Sequence, residues 1–305
     1  MSRKSVHSRV HRGPRVVGRL LVASMVGAGL VVPLAGVSSG AANTKKASGT
    51  VNVLYAGSFL DLMEQHLSPA FHKATGYTVS GYSAGSSALA SEIAGKTIVG
   101  DVFISASPTV NASLEGASNG NWVSSYREFG ISPLVLGYYA KSKFAKDLQS
   151  KSWFNVVDLP GFLLGRTDPA TDPKGVLAVD ALEGTALTHN IPALNARTTS
   201  TSNVFPETAL VGDLQAGQLD AGFFYGVEAA AAKIQTVPLT GTSLAGDYTI
   251  TILNKAPHDA AAVAFVNFLL GEAGQKILSS NGVVAGQPKV TGSQYVPAGV
   301  RSVLR

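Results

Sequence analysis

The sequence predicts an α/β protein built as two lobes, and three observations carry this prediction. Strand-like and helix-like segments alternate over residues 51–105, which is typical of a parallel sheet flanked by helices. About 260 residues follow a basic and apolar N-terminal segment, which is enough for two domains of ordinary size. The composition, 45% hydrophobic and 14% charged without cysteine, is typical of a folded protein that does not depend on disulfides.

The first 42 residues have the layout of a secretory signal peptide. Six basic residues and no acidic one precede an apolar stretch that begins at Leu20, and small residues end the segment at Gly40-Ala41-Ala42. Cleavage is expected near Ala42, which makes residues 43–50 a polar linker. An uncleaved membrane anchor is the alternative, because the apolar run is nearly long enough to span a bilayer.

The charge of the remaining chain bears on location and partners. The whole chain has 24 Lys+Arg against 19 Asp+Glu, a net +5, but removing the six bases of residues 1–42 leaves 18 against 19, a net −1. Nucleic-acid binding needs clustered Lys and Arg side chains, so no nucleic-acid partner is expected. Without cysteine a lipid anchor has no acceptor, and we expect an exported protein at the periplasmic or extracellular face of the membrane, not a lipoprotein.

The first elements repeat the order strand, small-residue junction, helix. Residues 51–55 are typical of a strand that breaks at Ala56-Gly57-Ser58, which puts Ser58 in the N-cap position of a helix. That helix is predicted from apolar residues at three- and four-residue spacing: Phe59, Leu62, Met63, Leu67 and Phe71. The order repeats with a strand at 77–80, the junction Ala84-Gly85-Ser86, a short helix at 87–93 and a buried strand at 101–105.

The later elements suggest that the chain leaves the first lobe and returns to it. A strand is predicted at 134–139, a helix-rich continuation runs to about residue 235, and strand character returns at 249–253 before helices at 260–270 and 273–278. The predicted organisation is a first lobe, a second lobe and a C-terminal completion of the first lobe, at residues 51–132, 133–235 and 236–305.

The two Ala-Gly-Ser junctions are the strongest functional signal. A serine at a helix start offers its hydroxyl beside the unpaired backbone N–H groups of the first turn, and together these can hold an oxyanion without a full positive charge. Each junction alone is better explained as a structural cap. Two of them on successive parallel strands would meet at one crevice, so Ser58 and Ser86 are candidate ligand-binding residues.

Two further segments supply candidates. Two Asp-Pro steps in residues 165–175 favour an extended loop, and Asp172 either caps the helix expected at 176–188 or points into the crevice. Residues 217–225 are typical of a turn into a buried strand that ends at Tyr225, whose hydroxyl either binds an anion or packs in the core.

Enzyme motifs fail on inspection, so the protein is not expected to be an enzyme or to need a cofactor. Gly95-Lys96-Thr97 resembles the end of a phosphate-binding loop, but Ala90 stands where that loop needs glycine. Neither candidate serine lies in a Gly-x-Ser-x-Gly elbow, and no His-Glu-x-x-His is present. An exported hydrolase is kept as the alternative from another class.

Taken in order, these segments resemble the extracytoplasmic molybdate/tungstate-binding proteins of ABC importers. The resemblance covers most of the chain after residue 50, and the loop Gly-Arg-Thr-Asp-Pro is most similar to the tungstate-type branch. It implies a type II periplasmic-binding fold, in which two lobes joined by a hinge close on an oxyanion in the cleft between them. It also implies that Ser58 and Ser86 contact the oxyanion and that a membrane permease is the partner.

The resemblance further implies two carboxylates near the metal of the oxyanion. One maps to Asp172, a candidate direct ligand to molybdenum or tungsten, and the other falls where this sequence has Phe224. We therefore expect roughly tetrahedral, hydrogen-bonded binding by Ser58, Ser86, Tyr225 and backbone N–H groups in a monomer. Glu228 is not placed by the sequence. The same fold binding sulfate, phosphate or a small organic anion is the open alternative.

Overall fold

The computed structural model describes residues 47–286 and 290–292. The predicted signal peptide, residues 1–42, lies outside the described residues, as do the first four residues of the predicted linker. The described residues belong to one compact unit.

The described residues contain ten strands and twelve α-helices. The strands are β1 (Thr50–Ala56), β2 (Thr78–Ala84), β3 (Val102–Ser105), β4 (Ser125–Tyr138), β5 (Leu164–Thr167), β6 (Val204–Phe205), β7 (Ala221–Tyr225), β8 (Gln235–Pro238), β9 (Ala245–Ile252) and β10 (Val290–Gly292). The helices are α1 (Leu60–Leu62), α2 (Ser68–Thr75), α3 (Ser86–Ala94), α4 (Pro108–Ala112), α5 (Ala145–Ser150), α6 (Trp153–Val157), α7 (Pro173–His189), α8 (Ala193–Thr199), α9 (Glu207–Gln215), α10 (Gly226–Ala231), α11 (Asp259–Leu270) and α12 (Glu272–Ser280).

The sheet has two halves that share one long strand. Its order is β2-β1-β3-β9-β4-β7-β5-β6, with β8 and β10 also paired to β4. Residues 127–133 of β4 pair with β9, whereas residues 134–138 pair with β7. We call the part with β1, β2, β3 and β9 the first half, and the part with β5, β6, β7 and β8 the second half. The predicted lobe boundaries at residues 133 and 235 stay predictions.

The strand directions agree with the expected parallel sheet only in two sets of three strands, one in each half. Strand β1 runs parallel to β2 and β3, and β5 runs parallel to β6 and β7. Strands β9 and β4 enter antiparallel between these sets. The carboxyl ends of β1 and β7 therefore carry the junctions that begin with Gly57 and Gly226, where ligands of α/β folds collect.

The helical run after β1 confirms the periodicity of the sequence. A 3-10 turn (Gly57–Phe59), α1, a π-helical turn (Met63–Leu67) and α2 follow one another without a break. The five apolar residues that predicted the helix are all fully buried: Phe59, Leu62, Met63, Leu67 and Phe71. Burying each contributes about 1.5–3 kcal/mol, so this face fixes where the run begins and holds Ser58 at the end of β1.

Two boundaries differ from the prediction for physical reasons. Strand β4 begins nine residues before the predicted 134, because residues 125–133 pair with β9 and β10, contacts that no local pattern reveals. Helix α7 begins at Pro173 instead of 176, because the Asp172 side chain caps it and proline suits the first turn.

Within the described range no single helix passes the length and hydropathy test for a membrane span; the pair α11 and α12, bent by 57°, passes together.

Candidate functional site

Ser58 lies at the first junction, in the 3-10 turn after β1, with 2% of its surface exposed. The predicted N-cap role is wrong, because Ala56 holds that position and the Ser58 side chain bonds elsewhere. The hydroxyl of Tyr248 on β9 donates to Ser58 Oγ at 2.8 Å. Since Ser58 Oγ accepts this hydrogen bond, its own O–H can donate to a further group.

Ser86 is the first residue of α3 and is fully buried. Its Oγ accepts the backbone N–H of Ala106 at 3.1 Å, which again leaves the serine O–H as a donor. The preceding Gly85 packs against the loop before α7, where a Cβ would lie 2.4 Å from the Thr171 carbonyl oxygen. Ala88 N–H donates to that same carbonyl at 3.0 Å. The second junction therefore touches the second half of the molecule directly.

Asp172 has the capping role that the sequence offered, and its role as a ligand-binding residue stays a prediction. Its Oδ1 accepts the backbone N–H of Lys174 at 3.0 Å and so caps α7. Its Oδ2 is buried and has no hydrogen-bond partner. Burial raises the pKa of Asp172, and the ammonium of Lys174 opposes that shift. The Thr167 hydroxyl also lowers the pKa of this carboxyl group, so one oxygen caps the helix and the other lies near a hydroxyl.

Tyr225 ends β7 and is fully buried, and its hydroxyl has no hydrogen-bond partner. Its ring lies 5.8 Å from that of Tyr248, which links it to Ser58. Burial raises the pKa of Tyr225 well above its usual value, so the hydroxyl keeps its proton and can donate. Phe224, where the resemblance suggested a carboxylate, packs in a cluster with Leu210, Leu214 and Leu219, and the centre of its ring lies 5.6 Å from Lys174 Nζ.

Lys174 is the feature of the site that the sequence analysis missed. The side chain is fully buried, and its Nζ donates to Glu228 Oε2 at 2.7 Å and to Oε1 at 2.9 Å. The same Nζ lies 3.5 Å from Glu207 Oε1. Burial disfavours the charge on Lys174, but Glu228 and Glu207 outweigh burial and raise its pKa. We call Asp172, Lys174, Glu207 and Glu228 the Lys174 cluster.

Glu207 connects the Lys174 cluster to the first junction. It is the first residue of α9, and its Oε2 accepts the backbone N–H of Gly57 at 2.6 Å. Its Oε1 is buried without a hydrogen-bond partner. Burial raises the pKa of Glu207 to about 8; Asp172 adds to the shift and Lys174 opposes it. The Glu207 carboxyl group, which belongs to the second half, therefore accepts a hydrogen bond from the backbone of the first half.

Local sequence patterns indicate two of these residues, Glu228 and Lys174, but not Glu207. Glu228 lies three residues after Tyr225, the spacing at which a side chain returns to the helix-start backbone, and it accepts Tyr225 N–H at 3.4 Å. Lys174 is a cation in the first turn of a helix, where the dipole disfavours it, which indicates a nearby anion. Glu207 has no local signal, because only the fold brings it to Gly57, 150 residues away.

Cavities open on two sides of Glu207. One of about 190 Å³ is lined by Gly57, Ser58 and Glu228, and one of about 370 Å³ by Gly85 and Thr171. A larger cavity of about 410 Å³ lies elsewhere, beside Arg166. That arginine is not a cleft residue, since its guanidinium donates to four backbone carbonyls: those of Thr167, Arg197, Thr198 and Ser200.

No metal site accompanies the cleft in the part of the chain that the structure describes. No group of three or more His, Asp or Glu side chains there could hold a metal ion. The polar groups gathered here are hydroxyls, backbone N–H groups, carboxylates and one ammonium, a set suited to hydrogen-bonding a small polar solute.

Two sheet halves joined by one long strand, with a buried polar cleft between them, define the architecture of a periplasmic-binding protein. Residues 51–284 match the bacterial extracellular solute-binding protein family, and the chain belongs to it. The periplasmic molybdate-binding protein of Azotobacter vinelandii has a similar structure, with a TM-score of 0.61 and 24% identity over 78% of this chain and 100% of that one. This likeness confirms the predicted α/β fold of the type II periplasmic-binding class.

Curated relatives agree with this assignment. A solute-binding protein of Halobacterium salinarum is 28% identical over 252 residues, covering 73% of this chain and 81% of its own. The molybdate/tungstate-binding protein WtpA of Thermococcus kodakarensis is 22% identical over 213 residues, covering 53% of this chain and 60% of its own.

Proposed function

We propose that this chain captures an oxyanion, molybdate or tungstate, between its two halves and delivers it to the membrane permease of an ABC importer. The observation that carries the proposal is that three buried hydroxyl groups donate no hydrogen bond within the described part of the protein. Ser58 and Ser86 each accept a hydrogen bond and so keep their own protons for a ligand, while the buried Tyr225 hydroxyl has no partner. Hydroxyl donors that are not used within the protein are what an oxyanion requires.

Contacts link the four proposed ligand-binding residues in two pairs. Ser58 contacts Tyr248, whose ring packs near that of Tyr225. Ser86 follows Gly85, whose Cβ position lies 3.1 Å from Asp172 Cβ. In this proposal Asp172 Oδ2 approaches the molybdenum or tungsten atom directly, because a carboxylate is repelled by the oxygens of a dianion unless it coordinates the metal. The named functions of WtpA and of the Azotobacter protein support the choice of oxyanion.

The remaining parts of the proposal concern location and partners. We propose that the chain is exported, acts at the periplasmic or extracellular face of the membrane as a monomer, and uses no lipid anchor, cofactor or nucleic acid. It is proposed not to be an enzyme. The partners of its serines support this, since Ser58 is bonded to Tyr248 and Ser86 to the Ala106 N–H, neither of which is a general base.

A thermal-shift screen with molybdate, tungstate, sulfate and phosphate tests the oxyanion. A tight ligand stabilises only the folded state, so molybdate or tungstate should raise the melting temperature with concentration. A shift only with sulfate, phosphate or a small organic anion would mean that the same fold binds that anion instead of molybdate or tungstate. No shift with any of them would refute the proposal.

Substitution of the serines tests the site. Ser58→Ala and Ser86→Ala should each weaken binding about tenfold or more, because a hydrogen bond to a charged group contributes ~1.5–3 kcal/mol. Ser91→Ala is the matched control, since Ser91 lies on the same helix as Ser86 and its exposed hydroxyl bonds only the Ser87 carbonyl. Affinity unchanged in both cleft variants would reject these residues as ligands.

A further inference from the structure

The Lys174 cluster carries more negative than positive groups. Three carboxyl groups face one ammonium, and each of the four side chains is at least 95% buried. Lys174 is already engaged by Glu228 at 2.7 Å and lies 3.5 Å from Glu207. A dianion that enters this cleft therefore adds negative charge to a place where the carboxyl groups already outnumber the cation.

Glu207 is the carboxyl group that most directly competes with an oxyanion for a backbone donor. Its Oε2 accepts Gly57 N–H at 2.6 Å, and that N–H is the backbone donor of the first Ala-Gly-Ser junction. The cavity of about 190 Å³ beside it is lined by both Glu207 and Ser58. An oxyanion bound at Ser58 would meet Glu207 at the shared N–H group.

We propose that Glu207 couples oxyanion capture to the uptake of one proton, so that the oxyanion binds at Gly57 and Ser58 with the Glu207 carboxyl group neutral. This inference rests on the proposed function. A neutral carboxyl removes one negative charge from the cleft. Its O–H becomes a donor to the oxyanion, so the group changes from a competitor for the Gly57 N–H into a ligand-binding residue.

The surroundings of Glu207 support a neutral form. The ionisable groups that bear on it are the other three members of the Lys174 cluster, the hydroxyls of Tyr225 and Tyr248, and Asp61 and Asp168, which line the two adjoining cavities. Burial, the largest influence, raises the pKa of Glu207 to about 8, and Asp172 reinforces it while Lys174 opposes it. A bound dianion adds negative charge and raises this pKa further.

The direction of the pH dependence follows from this shift. Below about pH 8 Glu207 is already protonated in the free protein, so binding takes up little additional proton and the affinity is flat. Above about pH 8 the free protein has lost the proton and binding must recover it. The affinity then falls by up to tenfold for each pH unit, the limit for one linked proton.

Calorimetry with tungstate measures this linkage directly. Titrations at about pH 6.5 and about pH 9, each in two buffers of different ionisation enthalpy, give the number of protons taken up. We expect close to none at pH 6.5 and close to one at pH 9. Repeating the titration with phosphate distinguishes the source, because hydrogen phosphate can bring a proton of its own whereas tungstate is fully deprotonated at these pH values.

Glu207→Gln is the decisive variant, because glutamine resembles the neutral carboxyl and can still accept Gly57 N–H. It should abolish proton uptake at pH 9 and bind tungstate there at least as tightly as the wild type does at pH 6.5. Glu183→Gln, on the exposed side of α7, is the matched control and should behave as the wild type. Infrared difference spectra of the wild type at pH 9 provide a readout without a variant, as tungstate should produce the C=O band of a protonated carboxyl.

The outcomes separate this inference from the proposed function. Tungstate binding without proton uptake at pH 9, or the same pH dependence in Glu207→Gln as in the wild type, would overturn the role of Glu207 alone. A more than tenfold loss of affinity in Glu207→Gln at pH 6.5 would also overturn it. No binding of tungstate, molybdate or phosphate at any pH would remove both proposals.

Discussion

Replacing Lys174 with methionine should destabilise the protein more than any other conservative change at the cleft. Methionine keeps most of the side-chain volume but leaves Glu228, Glu207 and Asp172 buried without their cation. Removing one partner of a buried ion pair costs about 3–5 kcal/mol, a large share of a total stability of about 5–15 kcal/mol. The loss should be larger at pH 8 than at pH 5.5, because at the lower pH the carboxyl groups can become neutral.

Urea unfolding followed by circular dichroism measures this loss. The double variant Lys174→Met, Glu228→Gln removes both charges of the closest pair, so it should recover about half or more of the stability that Lys174→Met loses. Lys141→Met, on the surface, is the control and should change the free energy of unfolding by less than about 0.5 kcal/mol. A loss below about 1 kcal/mol for Lys174→Met at pH 8, the value of an exposed pair, would refute the reasoning.

Three further predictions follow from contacts on either side of the cleft. Gly85→Ala places a Cβ 2.4 Å from the Thr171 carbonyl oxygen and should weaken tungstate binding about tenfold without loss of helical circular dichroism. Gly184→Ala, whose added Cβ has no contact within 4 Å, is the control and should raise the free energy of unfolding in urea by ~0.5–1 kcal/mol. Equal affinity of Gly85→Ala and wild type would show that binding does not need this close approach of the two halves. Arg166→Met removes the donors to four backbone carbonyls and should lower the free energy of unfolding in urea by about 2–5 kcal/mol, while the tungstate affinity of the folded protein stays within about twofold. A large loss of affinity would instead indicate that Arg166 contacts the ligand. The melting temperature of the free protein should fall between about pH 5 and pH 8, because the folded state binds a proton at Glu207 more tightly than the unfolded state does, and Glu207→Gln should flatten this slope.

The sequence predicted those parts of the fold that depend on local patterns. The spacing from Phe59 to Phe71 located a helix whose predicted face is fully buried, and the run before Tyr225 located a buried strand. Asp172 was placed correctly at a helix start, because an Asp-Pro step both restricts the backbone and supplies a cap. In each case the physical cause acts within a few residues of the position that it determines.

What the sequence did not predict depends on contacts between distant segments. Ser58 was expected to cap its helix, but Tyr248, 190 residues later, donates to its oxygen instead. The first nine residues of β4 carry no clear strand signal, and their partners on β9 and β10 make them a strand. Such partners are brought together only when the two sheet halves assemble.

The electrostatics of the cleft also differ from the expectation. The near-neutral charge of the chain after residue 42 suggested that an anion would be held by neutral donors alone. The structure retains those donors at Ser58, Ser86 and Tyr225 and adds Lys174 with three carboxyl groups, none of which a chain-wide charge reveals. Our proposal for Glu207 makes the protonation of this cluster, and not the surface charge, the factor that governs how much negative charge the cleft can accept.

Titration calorimetry of tungstate into the wild type and Ser86→Ala near neutral pH is the most direct test of oxyanion capture. We predict one bound tungstate per chain in the wild type and an affinity about tenfold or more lower in Ser86→Ala, with Ser91→Ala unchanged. Binding of equal strength in all three proteins, or no heat of binding in the wild type, would contradict the assignment of this cleft as the oxyanion site.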